Sequence, residues 1–356
     1  MAQLGLSGVT PALNLVLMDE IAKQYRRDSV LLNILRSKRD RNSALTFAIK
    51  TDSNSAGAAY APGADMSSGE YSSEGRVQAT FGWANYRIGI NVADETLDIV
   101  AASGGAEGVD LLTVEVMDAT AKLSQVVGAA LYTGDPTATS PYELAGAAAM
   151  IDTSGIVGGI DRSSNTYWRG NEDTVATADF SISSLRTKLF RPVKNSTGRD
   201  PDFVTAPGAM IDLLKDRLED KADTVSQVSI RGDLIDLTKA AGSRAVIVDG
   251  VPFIEDRHAT ASTFYAWSQD YIDLRYIPPA PATDTPADLA RYVSSITGLR
   301  VSDNDIAARL KAQASEMRPI LAHVGKTGTS EKLIVRTGNI QVAWLRPNAF
   351  SKLAIT

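Results

Sequence analysis

The stretch GIVGGIDRSSNTYWRGN, Gly155 to Asn171, gathers residue types that phosphate- and base-binding loops use. Gly158 and Gly159 permit positive φ, Asp161 and Arg162 carry opposite charges, and Trp168 and Arg169 stand side by side. A second candidate is HVGKTGTSEK, His323 to Lys332. A phosphate loop needs a glycine five residues before its Gly-Lys-Thr, so that the backbone can wrap the phosphates, and that position holds Ile320. Lys326-Thr327-Gly328 also occurs in penicillin-recognising enzymes, but no Ser-x-x-Lys nucleophile accompanies it. There is no G-x-S-x-G elbow and no G-x-G-x-x-G turn, and a polar surface turn accounts for His323 to Lys332. Carboxylates cluster at Asp303/Asp305 and at Asp216/Glu219/Asp220, as general acid–base work requires. With 42 acids in the chain such pairs arise by chance, and the second group falls on the solvated face of an amphipathic helix.

Two histidines, His258 and His323, and no cysteine limit the remaining chemistry. Disulfides, iron–sulfur clusters, thiolate zinc sites and cysteine nucleophiles are excluded. A histidine metal site or triad would have to use one or both of the two, and both read as ordinary surface histidines. No cofactor is expected.

The chain has 356 residues, 44% hydrophobic and 22% charged, enough for two domains around a real core. No apolar run reaches the roughly eighteen residues of a membrane helix, and the start lacks a basic n-region, so a cytoplasmic protein without a membrane partner is expected. A net charge of −6 argues against a protein whose main task is gripping nucleic acid. KQYRRDSVLLNILRSKRDRN, Lys23 to Asn42, is a local basic exception that includes Arg26 and Arg27. It reads either as a solvated helix face or as an arm facing a polyanion or an acidic neighbour.

The elements that would position these residues follow from periodicity. Thr10-Pro11 starts a helix carrying Leu13, Leu17, Ile21 and Tyr25. Leu45, Phe47 and Ile49 alternate as a strand, as do Val77, Ala79, Phe81 and Trp83, and then Tyr86, Ile88, Ile90 and Val92. The change of parity at Ala84-Asn85 marks a bulge or kink. Between the strands lies a Ser-, Gly-, Ala- and acid-rich segment that cannot build a core of its own. Together these predict a long two-stranded ribbon resting on something else. Gly108 to Gly134 predicts a long helix with a Leu112, Val116, Leu123, Val127, Leu131 stripe, stopped by Gly134-Asp135-Pro136. Helix is then predicted over 181–193, a short buried strand over 201–207 and helix again over 208–220. Strands follow around a Gly-Val-Pro turn, then a Pro-rich excursion over 278–291, a helix over 304–317, and two or three closing strands.

That order of elements resembles the major capsid proteins of tailed bacteriophages with the HK97-type fold. VGGIDRSSNTYWRGN, shortly after the long helix, is the most specific local match, whereas 278–332 does not align with the family's pattern. The resemblance implies an α+β fold with an N-terminal arm (1–43) and an extended β-ribbon loop (44–95). It also implies a peripheral domain (96–173 and 333–356) with a spine helix at 108–133, and an axial domain (174–332) with 278–332 as a candidate insertion. It implies a structural subunit, not an enzyme, that self-assembles into the hexamers and pentamers of an icosahedral head around double-stranded DNA. Its partners would be copies of itself, a separate scaffolding protein, a portal, a decoration protein and weakly held DNA, in a virion assembled in the host cytoplasm. Assembly contacts are expected at Gly158, Gly159, Asp161, Arg162, Trp168 and Arg169. Tyr60 and Glu70 on the ribbon and Arg26 and Arg27 on the arm complete the set. Within this reading an Asp161–Arg162 ion pair fixes the glycine turn, and Trp168 with Arg169 anchors it at a subunit contact. Some capsids of this fold carry a Lys–Asn cross-link; Lys50 lies on the ribbon strand, Asn348 near the C-terminus, and the tip has no lysine, so none is expected here. The alternatives are an encapsulin-type compartment and, from another class, a soluble enzyme on a phosphorylated substrate using the 155–171 loop with Arg162 and Arg169.

Overall fold

The computed structural model describes residues 29–50, 76–93, 106–138, 141–218, 224–225, 227–230, 233–236, 245–277, 319–327 and 330–356. The first arm helix, the ribbon tip, the 278–291 excursion and the 304–317 helix lie outside the described residues, as do Arg26, Arg27, Tyr60 and Glu70.

A seven-stranded mixed sheet organises the chain. Its order is Asn171–Val175, Ser351–Ile355, Thr263–Trp267, Phe203–Ala206, Val251–Glu255, Ala245–Val248 and Thr224–Val225. Alternate residues serve two cores, because successive side chains of a strand point to opposite faces. Phe203, Ala245, Ile254, Tyr265 and Trp267 belong to one buried cluster, while Val204, Val246, Phe253, Phe264 and Ala266 belong to the other. Burial on both faces explains why these strands read as continuous apolar runs.

The second cluster is closed by two helical segments. Ile182–Ser184, Leu185–Phe190 and Arg191–Thr197 form one continuous helical run, opened by a Ser181/Ser184 capping box. Its central turn has π geometry, a rare form often found at functional sites. Gly208–Arg217 supplies the other helix, burying Ile211 and Leu214.

The first cluster packs under the spine helix, Ala106–Thr133, which at about 1.5 Å per residue is roughly 42 Å long. Val116, Leu123, Val127 and Leu131 are all buried, as the stripe requires. At its C-terminal end Tyr132 joins an aromatic nucleus. Its ring lies 5.4 Å from Tyr265 and 6.2 Å from Trp267, and Trp267 lies 5.8 Å from Trp344.

Three features differ from the sequence reading. The hairpin turn after Ala245–Val248 is Asp249-Gly250, with φ 53° and 82°, and not Gly-Val-Pro. Residues with two consecutive positive φ values suit the right-handed strand twist, and Val251 and Pro252 already belong to the next strand. The ribbon is also shorter than the alternation implied. Leu45–Lys50 pairs antiparallel with Arg76–Phe81 only. After a break, in which Ala84 makes a single bridge to Ile340, Arg87–Ala93 pairs instead with Ser330–Arg336. Ser330–Arg336 in turn forms a hairpin with Ile320–Thr327. His323 to Lys332 therefore runs through a β-hairpin.

The arm's described part lies on its own chain. Val30–Ile34 is a short helix whose Ser29 hydroxyl accepts from the Leu32 amide at 3.4 Å. Ser37–Arg39 pairs parallel with Ile272–Ile277, whose other neighbour is Asn339–Trp344. Inside the basic stretch, Leu31, Leu32, Ile34 and Leu35 are core residues. Lys38 reaches an acid of its own chain, with Nζ 2.8 Å from the nearly buried Asp273 carboxylate.

Candidate functional site

The Gly155–Asn171 segment folds as a small clamp. Ile156–Val157 and Ile160–Asp161 form a two-residue hairpin, Val157 opposite Ile160. The intervening Gly158 and Gly159 have φ of 62° and 82°, so both central positions are left-handed, as the tightest hairpin turn demands. Outward of this turn lies the root of the ribbon. The Thr80 amide donates to the Gly158 carbonyl at 3.1 Å. A Cβ on Gly158 would stand 3.0 Å from the Phe81 ring and 3.3 Å from the Ala79 methyl, whereas one on Gly159 would meet nothing within 4 Å.

Trp168 is fully buried, and its indole N–H donates to the Val157 carbonyl at 3.0 Å. Its ring lies 6.2 Å from Phe47, which stacks at 6.0 Å on Phe81 across the ribbon. The expected subunit anchor is thus an internal one, since a side chain with no exposed surface has nothing to offer a neighbour. Trp168, Phe47 and Phe81 join the loop to the ribbon root within one chain.

The expected Asp161–Arg162 ion pair does not form. Arg162 points inward and is 1% exposed; its Nη1 donates to the Ser154 carbonyl and Nη2 to the Met150 carbonyl, both at 3.0 Å. Desolvation pulls its guanidinium below the usual arginine range, with Asp152 opposing that effect. Asp161 points outward and caps the following turn, accepting from the Ser163 hydroxyl at 2.6 Å and the Ser163 amide at 2.8 Å. Those hydrogen bonds hold its carboxyl below the ordinary value. Asp161 ends the strand and Arg162 opens the following turn, and the separate hydrogen-bond partners of the two side chains hold the charges apart. Arg169 closes the loop on itself, with Nε donating to the Arg162 carbonyl at 2.6 Å and Nη2 to the Ser163 carbonyl at 2.5 Å.

A second fastener at the ribbon root carries no charge. The buried Gln341 amide donates to the Gly82 carbonyl at 2.7 Å and the Glu143 carbonyl at 3.0 Å. Its oxygen accepts from the Ala145 amide at 2.8 Å and the Val342 amide at 3.0 Å. Gln341, set between the apolar Ile340 and Val342 in NIQVAW, was the readable signal, since a buried glutamine needs every partner. Trp83 adds a bond from its indole N–H to the Asn42 carbonyl at 3.0 Å, tying ribbon to arm.

Arm, spine helix and sheet meet at Asp256. This buried carboxylate accepts from the Tyr132 hydroxyl at 3.0 Å, the His258 amide at 2.9 Å and the Leu31 amide. Burial pushes its carboxyl above the ordinary value, against those hydrogen bonds and the nearby His258. Among the described residues no group of three or more His, Asp or Glu could hold a metal, and no helix is long and apolar enough to cross a membrane.

This architecture defines a class. The chain has the HK97-type fold: it superposes on the capsid protein of cyanophage A-1(L) with a TM-score of 0.61, 14% identity and 92% of each chain covered. The capsid of a native GTA particle gives 0.52 at 10% identity, covering 92% of this chain and 89% of that one. The SrpI encapsulin of Synechococcus elongatus gives 0.50 at 11% identity, covering 91% and 86%. No protein-family profile matches the sequence, and no curated protein matches it.

Proposed function

We propose that this chain is the structural subunit of an icosahedral phage head, forming hexamers and pentamers around double-stranded DNA. The observation that carries the reading is the superposition at a TM-score of 0.61 over 92% of both chains. Residues 1–43 act as the arm, 44–95 as the extended loop, 96–173 and 333–356 as the peripheral domain, and 174–332 as the axial domain, with 278–332 as a candidate insertion. The pairing of Ile320–Thr327 and Ser330–Arg336 with Arg87–Ala93 supports grouping that hairpin with the ribbon root. The subunit works with a separate scaffolding protein and a portal, and its place is the virion.

The clamp and the Gln341 fastener suit this role: they give a projecting ribbon a rigid base, as a connector between subunits requires. The enzyme alternative needed Arg162 and Arg169 free for a phosphate, and both guanidiniums are committed to main-chain carbonyls. The encapsulin-type compartment keeps support from the SrpI superposition. Electron microscopy of the protein co-expressed with scaffold tests the proposal: closed particles with DNA are expected. Closed particles enclosing a protein cargo would favour the compartment, and small oligomers under every condition would overturn both.

A further inference from the structure

Asp249-Gly250 is the single Asp-Gly step in the chain, and no Asn-Gly occurs. Such a step invites a spontaneous rearrangement. The glycine amide nitrogen attacks the aspartate Cγ, an N–C bond forms, and the acid's OH leaves with the amide proton as water. Water then opens the resulting succinimide, and opening at the aspartate main-chain carbonyl leaves isoaspartate. The mass is unchanged, but the main chain has gained one carbon. Glycine favours the attack because it has no side chain to shield the nitrogen. The space around Gly250 is open, since an added Cβ would meet nothing within 4 Å. Turn-capping aspartates elsewhere in the fold lack this opening. Asp135, Asp152 and Asp161 are followed by Pro136, which has no N–H, and by Thr153 and Arg162, whose side chains crowd the nitrogen.

The turn is exposed to the water this chemistry needs, yet the reacting group is held. Arg186 forks onto Asp249, with Nε 2.6 Å from Oδ2 and Nη2 2.6 Å from Oδ1. Two-point pairing of this kind fixes the plane of a carboxylate as well as its place. Buried Leu185 and Leu189 on the same helical run anchor the residue that supplies it. The fork opposes the reaction twice. Attack requires the carboxyl to turn its carbon towards the Gly250 nitrogen, which breaks the paired hydrogen bonds. It also requires the neutral acid, because a carboxylate is a poor electrophile, and the Arg186 hydrogen bonds hold the carboxyl below its ordinary value. What is at stake is the register of the hairpin. Val248 faces Val251 and Val246 faces Phe253 across the turn, all four in the second buried cluster, and one extra main-chain carbon between them displaces that pairing. We propose that Asp249-Gly250 is this chain's site of isoaspartate formation and that Arg186 is the positioning residue that restrains it. The inference does not depend on the chain forming a shell.

Purified full-length chain, wild type and Arg186→Gln, is aged in neutral buffer and digested with trypsin, which releases 245–257 as one peptide. Chromatography with mass spectrometry separates its isoaspartyl form at equal mass, and fragmentation distinguishes Asp249 from Asp256. Isoaspartate at Asp249 is expected to accumulate several-fold faster in Arg186→Gln. Arg186→Lys, which keeps the charge without the fork, should fall in between. In denaturant all three chains should react at one rate, because no folded turn remains to be restrained. That arm separates the fork from any general effect of the substitution, and if Arg186→Gln does not fold, Arg186→Lys carries the comparison. Equal accumulation in folded wild type and the folded variant, or in folded and unfolded wild type, would overturn the restraint. Isoaspartate forming at other steps of the unfolded chain while Asp249 stays unmodified would overturn the site.

Discussion

Gly158 and Gly159 form an internal control, because they share a backbone conformation and differ in surroundings. Either residue replaced by alanine must hold a left-handed conformation, at a cost of about 1–2 kcal/mol. For Gly159→Ala that is the whole cost, because its Cβ meets nothing within 4 Å. For Gly158→Ala the new methyl stands 3.0 Å from Phe81 and 3.3 Å from Ala79, both buried and backed by the ribbon strand. Neither neighbour can swing into solvent, so overpacking adds about 1–3 kcal/mol. The expected losses are therefore about 1–2 kcal/mol for Gly159→Ala and about 2–5 kcal/mol for Gly158→Ala. Denaturant unfolding of unassembled subunits reads the totals. Hydrogen exchange at the Thr80 amide, which donates to the Gly158 carbonyl, reads the site, and should accelerate much more in Gly158→Ala. Equal losses in the two variants, with Thr80 unchanged, would refute the clamp.

Trp168→Ala should destabilise the isolated subunit by about 3–5 kcal/mol in the same unfolding experiment, because the ring packs within its own chain; a variant that unfolds like wild type and fails only in assembly would restore the subunit-contact reading. Gln341→Leu leaves the Gly82 and Glu143 carbonyls and the Ala145 amide without their partner, and a loss of about 3 kcal/mol or more is expected by thermal or denaturant unfolding. Asp256 has its carboxyl raised by burial, so the folded state holds the proton more tightly than the unfolded chain and gains stability as pH falls through the folded value. Measured from pH 7 down to about 4, wild type should therefore gain stability relative to Asp256→Asn; a gap between the two that does not change with pH would show that the carboxylate is not held in a costly ionised form.

Local rules made much of this fold readable. The Gly-Gly turn, the alternation of Leu45, Phe47 and Ile49, and the stripe along the spine helix each depend on spacing alone, and each has its counterpart in the structure. Pairing over long sequence separation was not readable. The alternation of Arg87–Ala93 fixes which face is buried but not the partner, which turned out to be Ser330–Arg336. Ser37–Arg39 hid its strand character, since all three residues are exposed and basic side chains dominate them. In the clamp, residue types invited an Asp161–Arg162 pair, but Arg162 is buried on main-chain carbonyls while Asp161 caps the turn outside. A buried arginine then takes carbonyls, which leave no mark in a sequence.

The mass of the purified assembly, by light scattering on the same sample imaged by electron microscopy, tests the central claim most directly. The account predicts closed shells tens of nanometres across, built from many copies of this 37.9 kDa chain. Stable monomers or dimers at every salt and crowding condition, with scaffold co-expressed, would contradict it.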